Sequence, residues 1–428
     1  MPVSSALARV FAVWRTGLPR PVLVLQAGTA LNYFGTGLIL PFEIIYLHTV
    51  RGFSAATAGL VLATVMATAA VVTLPSGVLL DRFSAKRVLM AGNLVNAVGY
   101  GGLAFVHRPW QGFACSAVGG VGFGLVGTAG QVLTLTLVPA ERRAASTALR
   151  RVAGNFGLGL GATVAGFIVA AAHHHLHAFQ ALYLFDTVTF VAFALVVLLW
   201  IPNPGAAKAS STSRRGFRAV ARDRLLLALI AGNLALVMIG GAYFSSILPP
   251  FAMAHTPLGA GEIGVVYSLN TFFVVVAQVP ATRVVARMRR THALFATSAI
   301  FALGLLAVLL ATQTRSTLAA TTILAGVAIL IAIAECGQFI VLGPLVAEIA
   351  PPQLLGRYMS LYQLSFMAGV ALGPAVGGVL LGTSPNAIWW GGAIALGVTG
   401  AGFLRLGDRI PDPLHEAPSR LASAPESA

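Results

Sequence analysis

The chain has 428 residues, of which 57% are apolar and only 9% charged. A water-soluble fold of this length needs far more charge to cover its surface, so soluble classes are excluded and lipid must solvate much of the molecule. The formal net charge of +15 would point to nucleic acid in a soluble chain. In a membrane chain Lys and Arg set topology instead, and nucleic-acid binding is set aside.

Residues 1–21 contain no small-residue cleavage site after an apolar core, so they read as a retained cytoplasmic segment. Leu7, Val10, Phe11 and Trp14 share one helical face, which suits a helix lying on the membrane surface. Apolar windows of about 20 residues, the length that crosses hydrocarbon, then predict spans over 22–48, 54–80, 88–106, 110–138, 150–172 and 178–201. Residues 202–224 are rich in Pro, Gly, Ser and Arg and predict a flexible linker. Six more spans follow over 225–253, 259–282, 293–313, 317–347, 358–381 and 386–404, and residues 405–428 predict a disordered cytoplasmic tail. The runs are continuous and not alternating, which excludes strands. The expected fold class is therefore all-α integral membrane, with twelve transmembrane helices in two six-helix bundles at 22–201 and 225–404.

Charge orients these spans. With both termini cytoplasmic, only Arg51, Arg108 and Arg315 fall in outer loops, and the other 24 of 27 Lys and Arg lie in tails, inner loops and adjacent helix ends. That is the expected bias of a chain inserted in a bacterial inner membrane. Arg outnumbers Lys 25 to 2, which points to a GC-rich bacterial genome. The two halves also resemble each other. A shift of 212 residues aligns 139–166 with 351–378 at seven identities in 28 positions, among them Gly157, Gly161 and Gly166 with Gly369, Gly373 and Gly378. Duplicated halves around a midplane site are the architecture of many secondary transporters.

Between spans 2 and 3 stands Gly77-Val78-Leu79-Leu80-Asp81-Arg82-Phe83-Ser84-Ala85-Lys86-Arg87. A Gly near a helix end lets a neighbour approach, and the Asp/Arg/Lys cluster makes a charged hinge at the membrane face. Span 11 holds Gly369, Gly373, Pro374, Gly377 and Gly378, a spacing that brings helix backbones together and a proline that bends the span. The Gly77–Arg87 run resembles the signature loop of the major facilitator superfamily. It departs from it at Ser84, where a second Gly is usual, and at Ala85, where a basic residue is usual.

The span 11 element resembles the Gly-Pro motif that the drug:proton antiporter branch carries on span 5, where this chain has Ala162 in place of the proline. Gly35–Glu43 in span 1, with Pro41, and Glu335–Pro344 in span 10 are similar to the twelve-span multidrug exporters, while span 4 lacks their usual Arg. The resemblance implies that Asp81 holds one conformation closed against the N-terminus of span 11, with Gly77, Arg82, Lys86 and Arg87 completing the loop. It also implies that spans 1, 4, 7 and 10 line the cavity and that spans 3, 6, 9 and 12 sit outside. The corresponding loop of the second half, Pro280–Arg287, keeps bases but no acid.

Acids inside apolar spans cost roughly 2.5–3.5 kcal/mol to insert and are functional suspects by default. Three qualify as proton-coupling candidates: Glu335, Glu43 and Asp186. Structural readings stand beside this one, a hydrogen-bonded acid between helices for each, and simple hydration for Glu43 near its span end. Neutral candidates for the substrate cavity are Asn32, Gln131, Asn155, Asn233, Tyr243, Asn270, Gln278, Tyr362 and Gln363; each contacts substrate or bonds a neighbouring helix. Arg150 and Arg151 read as snorkelling anchors at the cytoplasmic start of span 5. A site so poor in fixed charge favours hydrophobic or amphiphilic solutes.

Other features read as structural. Cys115 and Cys336 lie in apolar runs and are buried hydrophobes. His173, His174, His175 and His177 have no neighbouring acid or thiol to make a specific metal site. Gly122, Gly124 and Gly127 match a dinucleotide fingerprint without the strand that it needs, and so are packing glycines. No cofactor is expected. The expectation is a monomeric carrier in membrane lipid, exchanging protons for a small-molecule substrate. Its rivals are uptake or metabolite export of a non-drug solute and, remotely, a membrane-embedded enzyme or scaffold, for which no loop carries a catalytic constellation.

Overall fold

A computed structural model describes residues 17–171, 176–203 and 220–411. The Leu7–Trp14 face, His173 to His175, linker residues 204–219 and the tail beyond 411 lie outside the described residues. Among those described, the helices that correspond to the twelve spans are α1 (Arg20–Val50), α2 (Ala55–Arg82), α3 (Ala85–Leu103), α4 (Pro109–Thr136), α5 (Arg143–Ala171) and α6 (Leu176–Trp200). Then come α7 (Arg224–His255), α8 (Ala260–Val285), α9 (Arg290–Ala311), α10 (Thr317–Ile349), α11 (Leu355–Thr383) and α12 (Ala387–Arg405). No described residue is in a strand.

Local chemistry sets several ends. Ser54, Ser84 and Ser316 cap α2, α3 and α10, accepting from the amides of Thr57, Arg87 and Ala319. Ser84, the departure from the signature loop, therefore has a local role: it starts α3 three residues before the predicted 88. The expected start of span 5 at residue 150 needs a larger correction. The turn Ala140–Arg142 leads directly into α5, so Arg150 and Arg151 lie seven and eight residues, about 12 Å, inside the helix.

Eleven helices are long and apolar enough to cross a membrane, and α3 is the exception among those described. Lys86 and Arg87 occupy its first turn and Asn93 and Asn96 its interior. Burial against α4 and α6 makes this tolerable, with Asn93 wholly buried and donating to Leu89 O. Two helices are irregular, and they occupy equivalent places in the repeat. A 3₁₀ turn breaks α1 at Leu40–Phe42, where Pro41 lacks a donor, and a wide π turn follows at Tyr46–Val50. In α7, π turns run over Leu236–Gly241 and Tyr243–Ile247.

Glycines bring these irregular helices against their neighbours. Gly157 and Gly161 of α5 lie on the Ala30 and Phe34 carbonyls of α1, while Gly369 and Gly373 of α11 lie on Val237 and Ala242 of α7. Gly377 meets Ile247 and Tyr243, whereas Gly378 faces open space, and Pro374 lies within a continuous helix. The same symmetry recurs between the bundles, α2 packing on α11 and α8 on α5. Gly122 and Gly124 make equally close contacts with Asn96 and the Ala69 carbonyl. The outer surface is apolar, with Val71, Phe167 and Leu318 73%, 75% and 78% exposed, as lipid-facing side chains should be.

Because a Cβ at Gly161 would collide with the Phe34 carbonyl while Gly159 has open space around it, Gly161→Leu should destabilise the protein and Gly159→Leu should not. Overpacking of this kind costs about 1–3 kcal/mol. Thermal unfolding in detergent checks it: a lower midpoint for Gly161→Leu and an unchanged one for Gly159→Leu are expected.

Candidate functional site

A cavity of about 400 Å³ lies between the two bundles. Five of the nine predicted neutral residues line it: Asn32, Gln131, Asn155, Tyr362 and Gln363. The other four stand behind the wall. Asn233 is buried and holds two neighbours, accepting from Gln338 Nε2 at 2.9 Å and donating to Ser365 Oγ at 2.8 Å. Gln338 itself lines the cavity, so this network fixes one wall residue through α7, α10 and α11. Tyr243 packs against Gly377 and Gly392. Asn270 donates to the Ala328 carbonyl at 3.1 Å, and Gln278 is buried. The last two belong to α8, which supplies none of the lining residues.

The expectation that α1, α4, α7 and α10 line the cavity while α3 and α6 stay outside is too narrow. Asn96 and Tyr100 of α3 and Phe190 of α6 reach the wall, as do residues of α5 and α11. Small residues open the route for α3: Gly119 and Gly122 of α4 lie directly against Tyr100 and Asn96.

The larger correction concerns the arginines. Arg150 and Arg151 are not surface anchors but cavity residues. Arg150 lines the cavity beside Tyr33 and packs over Gly130, where a Cβ would stand 2.8 Å from its guanidinium. Arg151 Nη2 donates to Glu335 Oε2 at 2.5 Å, and its guanidinium carbon sits 3.8 Å from the Phe339 ring centroid. The pair is 14% and 20% exposed and joins α5 of the first bundle to α10 of the second. Among the described lining residues Glu335 is the one carboxylate. A charge-assisted, ring-backed pair in so apolar a space is held far more firmly than one in water. Its signal in the sequence was Arg150-Arg151 standing beyond the first turn of a longer helix than the hydropathy window defined.

Glu43 and Asp186 lie elsewhere, buried in the first bundle. Neither lines the cavity. Thr189 Oγ1 donates to Asp186 Oδ1 at 3.2 Å, and Gly35 of α1 gives that carboxyl room.

The side-chain contacts between bundles cluster toward the face that carries the loop between α2 and α3, called here the basic face. Asp81 Oδ1 accepts from the Gly356 amide at 2.9 Å at the start of α11, and Asp81 Oδ2 lies 3.1 Å from Arg357 Nε. A carboxylate at a helix N-terminus meets both free N–H groups and the positive end of the dipole. Gly77 makes the approach possible, since a Cβ there would crowd Arg357 Cα and the Gly356 carbonyl. Arg82 and Arg87 are exposed, whereas Lys86 Nζ donates to the Leu198 and Ile201 carbonyls at 2.9 and 2.7 Å and so caps the end of α6. The next residue of α11, Tyr358, donates to Asp223 Oδ2 at 2.6 Å, and Asp223 also caps α7. In the second bundle Arg290 pairs with Glu348 at 2.6 Å. Of the histidine run, His177 is described, with Nδ1 3.1 Å from Gln180 Oε1.

Comparison with known proteins tells what this architecture belongs to. The uncharacterized MFS-type transporter YttB of Bacillus subtilis is 24% identical over 369 residues, 85% of this chain and 89% of that protein. A shorter likeness, 28% identity over 151 residues, links 34% of this chain to 30% of the methyl viologen resistance protein SmvA of Salmonella typhimurium. Among solved structures, a bacterial homologue of the iron transporter ferroportin in its outward-facing state superposes with a TM-score of 0.74 at 16% identity, covering 91% of this chain and 100% of that one. The human organic anion transporter MFSD10 gives 0.68 at 16% identity, over 90% and 98% of the chains. These structural likenesses establish the fold of two six-helix bundles. The family model of the Major Facilitator Superfamily matches residues 26–244 and 230–427. The protein is a multi-pass membrane protein and not an enzyme: the chain belongs to the Major Facilitator Superfamily, whose members carry small molecules across membranes.

Proposed function

We propose that the protein is a monomeric, proton-coupled secondary carrier that exports small hydrophobic or amphiphilic molecules by alternating access. The observation that carries this reading is the Arg151–Glu335 pair, which ties the two bundles together inside an otherwise largely apolar cavity. Protonation of Glu335 removes its charge and frees Arg151, so a proton loosens the tie between bundles. A positively charged or strongly dipolar substrate competes with Arg151 for the same carboxylate. Proton and substrate then exclude each other at one group, which is the chemistry of exchange. Phe123, Phe190, Phe339 and Phe366 supply the apolar wall that an amphiphile needs. The partial likeness to SmvA supports this substrate class.

In this reading the basic face is cytoplasmic, by the distribution of Lys and Arg. The contacts of Asp81 with Gly356 and Arg357 then close the cavity to the cytoplasm. A second reading, transport of small organic anions, is favoured by Arg150, a cavity arginine that makes no ion pair with an acid among the described residues.

Reconstituted in inverted vesicles, the wild type should accumulate a fluorescent lipophilic cation only when a pH gradient is imposed. Glu335→Gln should lose at least about tenfold of that activity, equivalent to about 1.4 kcal/mol, and no longer respond to the gradient. Gradient-independent transport by both proteins would remove Glu335 from coupling. Uptake of an anionic dye that Arg150→Gln abolishes would favour the second reading.

Asp81→Asn should populate the state open at the basic face. Loss of a hydrogen bond to a charged group, about 1.5–3 kcal/mol, shifts a two-state balance by about tenfold or more. Labelling of a cysteine placed at Gln363, with Cys115 and Cys336 replaced by serine, should accelerate from that face by a similar factor. An unchanged labelling rate would leave Asp81 a topological charge only.

A further inference from the structure

The contact of Asp81 at the basic face is only as firm as the helix end that it meets. Leu354, at the cap position of α11, has no side-chain group to offer the first amides of that helix. One of those amides, Gly356 N, is taken by Asp81 of the other bundle at 2.9 Å, and Arg357 Nε lies 3.1 Å from the same carboxylate. Two residues on from Gly356, the same turn is tied into its own bundle: the Tyr358 hydroxyl donates to Asp223 Oδ2 at 2.6 Å. Consecutive residues of a helix point about 100° apart, so one turn of α11 grips both bundles at once.

Asp223 is itself held in place. Its Oδ1 accepts from the Leu225 and Leu226 amides at 3.0 Å each, which fixes the carboxylate to the first turn of α7 and leaves Oδ2 for Tyr358. No ion pair of Asp223 occurs among the described residues, and the flanking Arg222 and Arg224 are exposed. Tyr358 is 4% exposed, so water competes poorly for its hydroxyl. A phenol donating to a carboxylate in such a place belongs to the short, strong class of hydrogen bond.

The position of this bond along the chain matters too. Asp223 stands where the chain enters the second bundle, three residues after Val220, which is wholly buried. Where the chain leaves the first bundle, Lys86 of the signature loop donates to the Leu198 and Ile201 carbonyls. Both ends of the connection between the bundles are therefore fastened beside the Asp81 contact, one to the α2–α3 loop and the other to α11.

We propose that Tyr358 is a positioning residue of the carrier: through Asp223 it ties the first turn of α11 to the capped start of α7, and so sets the Gly356 amide and Arg357 where Asp81 closes the basic face. This rests on the reading of Asp81 as the closing contact, and adds the group that holds the other side of that contact in register.

Two variants break the tie and empty no space. Tyr358→Phe keeps the buried ring. Asp223→Asn keeps the α7 cap, for which Asn serves as well as Asp, while turning an amide nitrogen toward the phenol. In each, hydrogen–deuterium exchange of the peptide that carries Gly356 should quicken by at least about threefold, the scale of one net hydrogen bond. Labelling of the cysteine placed at Gln363 should accelerate from the basic face by a similar factor. In the Asp81→Asn background neither variant should add to the labelling rate, because the contact that they position is already lost. A purely structural role predicts a lower unfolding midpoint with labelling unchanged, or effects that multiply in that background. Either result would overturn the proposal, as would unchanged exchange at Gly356. Acceleration by Asp81→Asn but by neither new variant would overturn it too, and leave the closing role of Asp81 intact. Labelling that ignores Asp81→Asn itself would remove that closing role and this proposal with it.

Discussion

Hydrocarbon cannot hydrate a charge, so a charged side chain within a span must find its counterpart inside the protein. That constraint organises much of the molecule. Arg151 finds Glu335, Arg290 finds Glu348, and Asp81 finds Arg357 and the exposed amides of α11. Lys86 meets the last carbonyls of α6. Two of these ties cross between bundles, and one of the two lies inside the cavity. Under the proposed alternating-access reading, a bond that crosses between the bundles would break in each cycle, so the same groups would both satisfy the membrane's demand for neutrality and sense the carrier's state.

The repeat explains where flexibility and rigidity sit. Helices α5 and α11 pack through glycines against α1 and α7, the two helices that depart from regular α geometry. Close backbone contact is a sound foundation for an irregular helix, because neighbouring backbone can support groups that a broken ladder leaves loose. The cavity opens between these paired units, and the same duplication places α2 on α11 and α8 on α5. The π turns of α7 run past Val237, Gly241, Ala242 and Ser245, all cavity residues, so the irregular backbone coincides with the wall.

Chemistry is divided unequally between the bundles. The first contributes both cavity arginines and the two buried acids Glu43 and Asp186, while the second contributes the one carboxylate among the described lining residues and the polar network around Asn233. Much of the polar character missing from span 4 is supplied by span 5. Tyr33 and Gly130 shape the place of Arg150, and Phe339 backs Arg151.

The sequence by itself determined the helical class, the twelve spans and their division into six and six. Those properties follow from the apolar length of all the segments but α3, and from the side on which cations accumulate, both of which are local. The signature loop and the glycine spacings of α5 and α11 were legible for the same reason. The cavity was only partly so. Asn32, Gln131, Asn155, Tyr362 and Gln363 reach it, but nothing local distinguishes them from Asn233 or Gln278, which turn inward among helices. Only tertiary structure decided that Arg150 and Arg151 enter the cavity, that α3 reaches its wall, and that Glu43 and Asp186 are buried away from it. Each depends on how a helix is rotated and tilted against its neighbours, and a rotation of one residue, about 100°, carries a side chain from lipid to core without altering the hydropathy of the span.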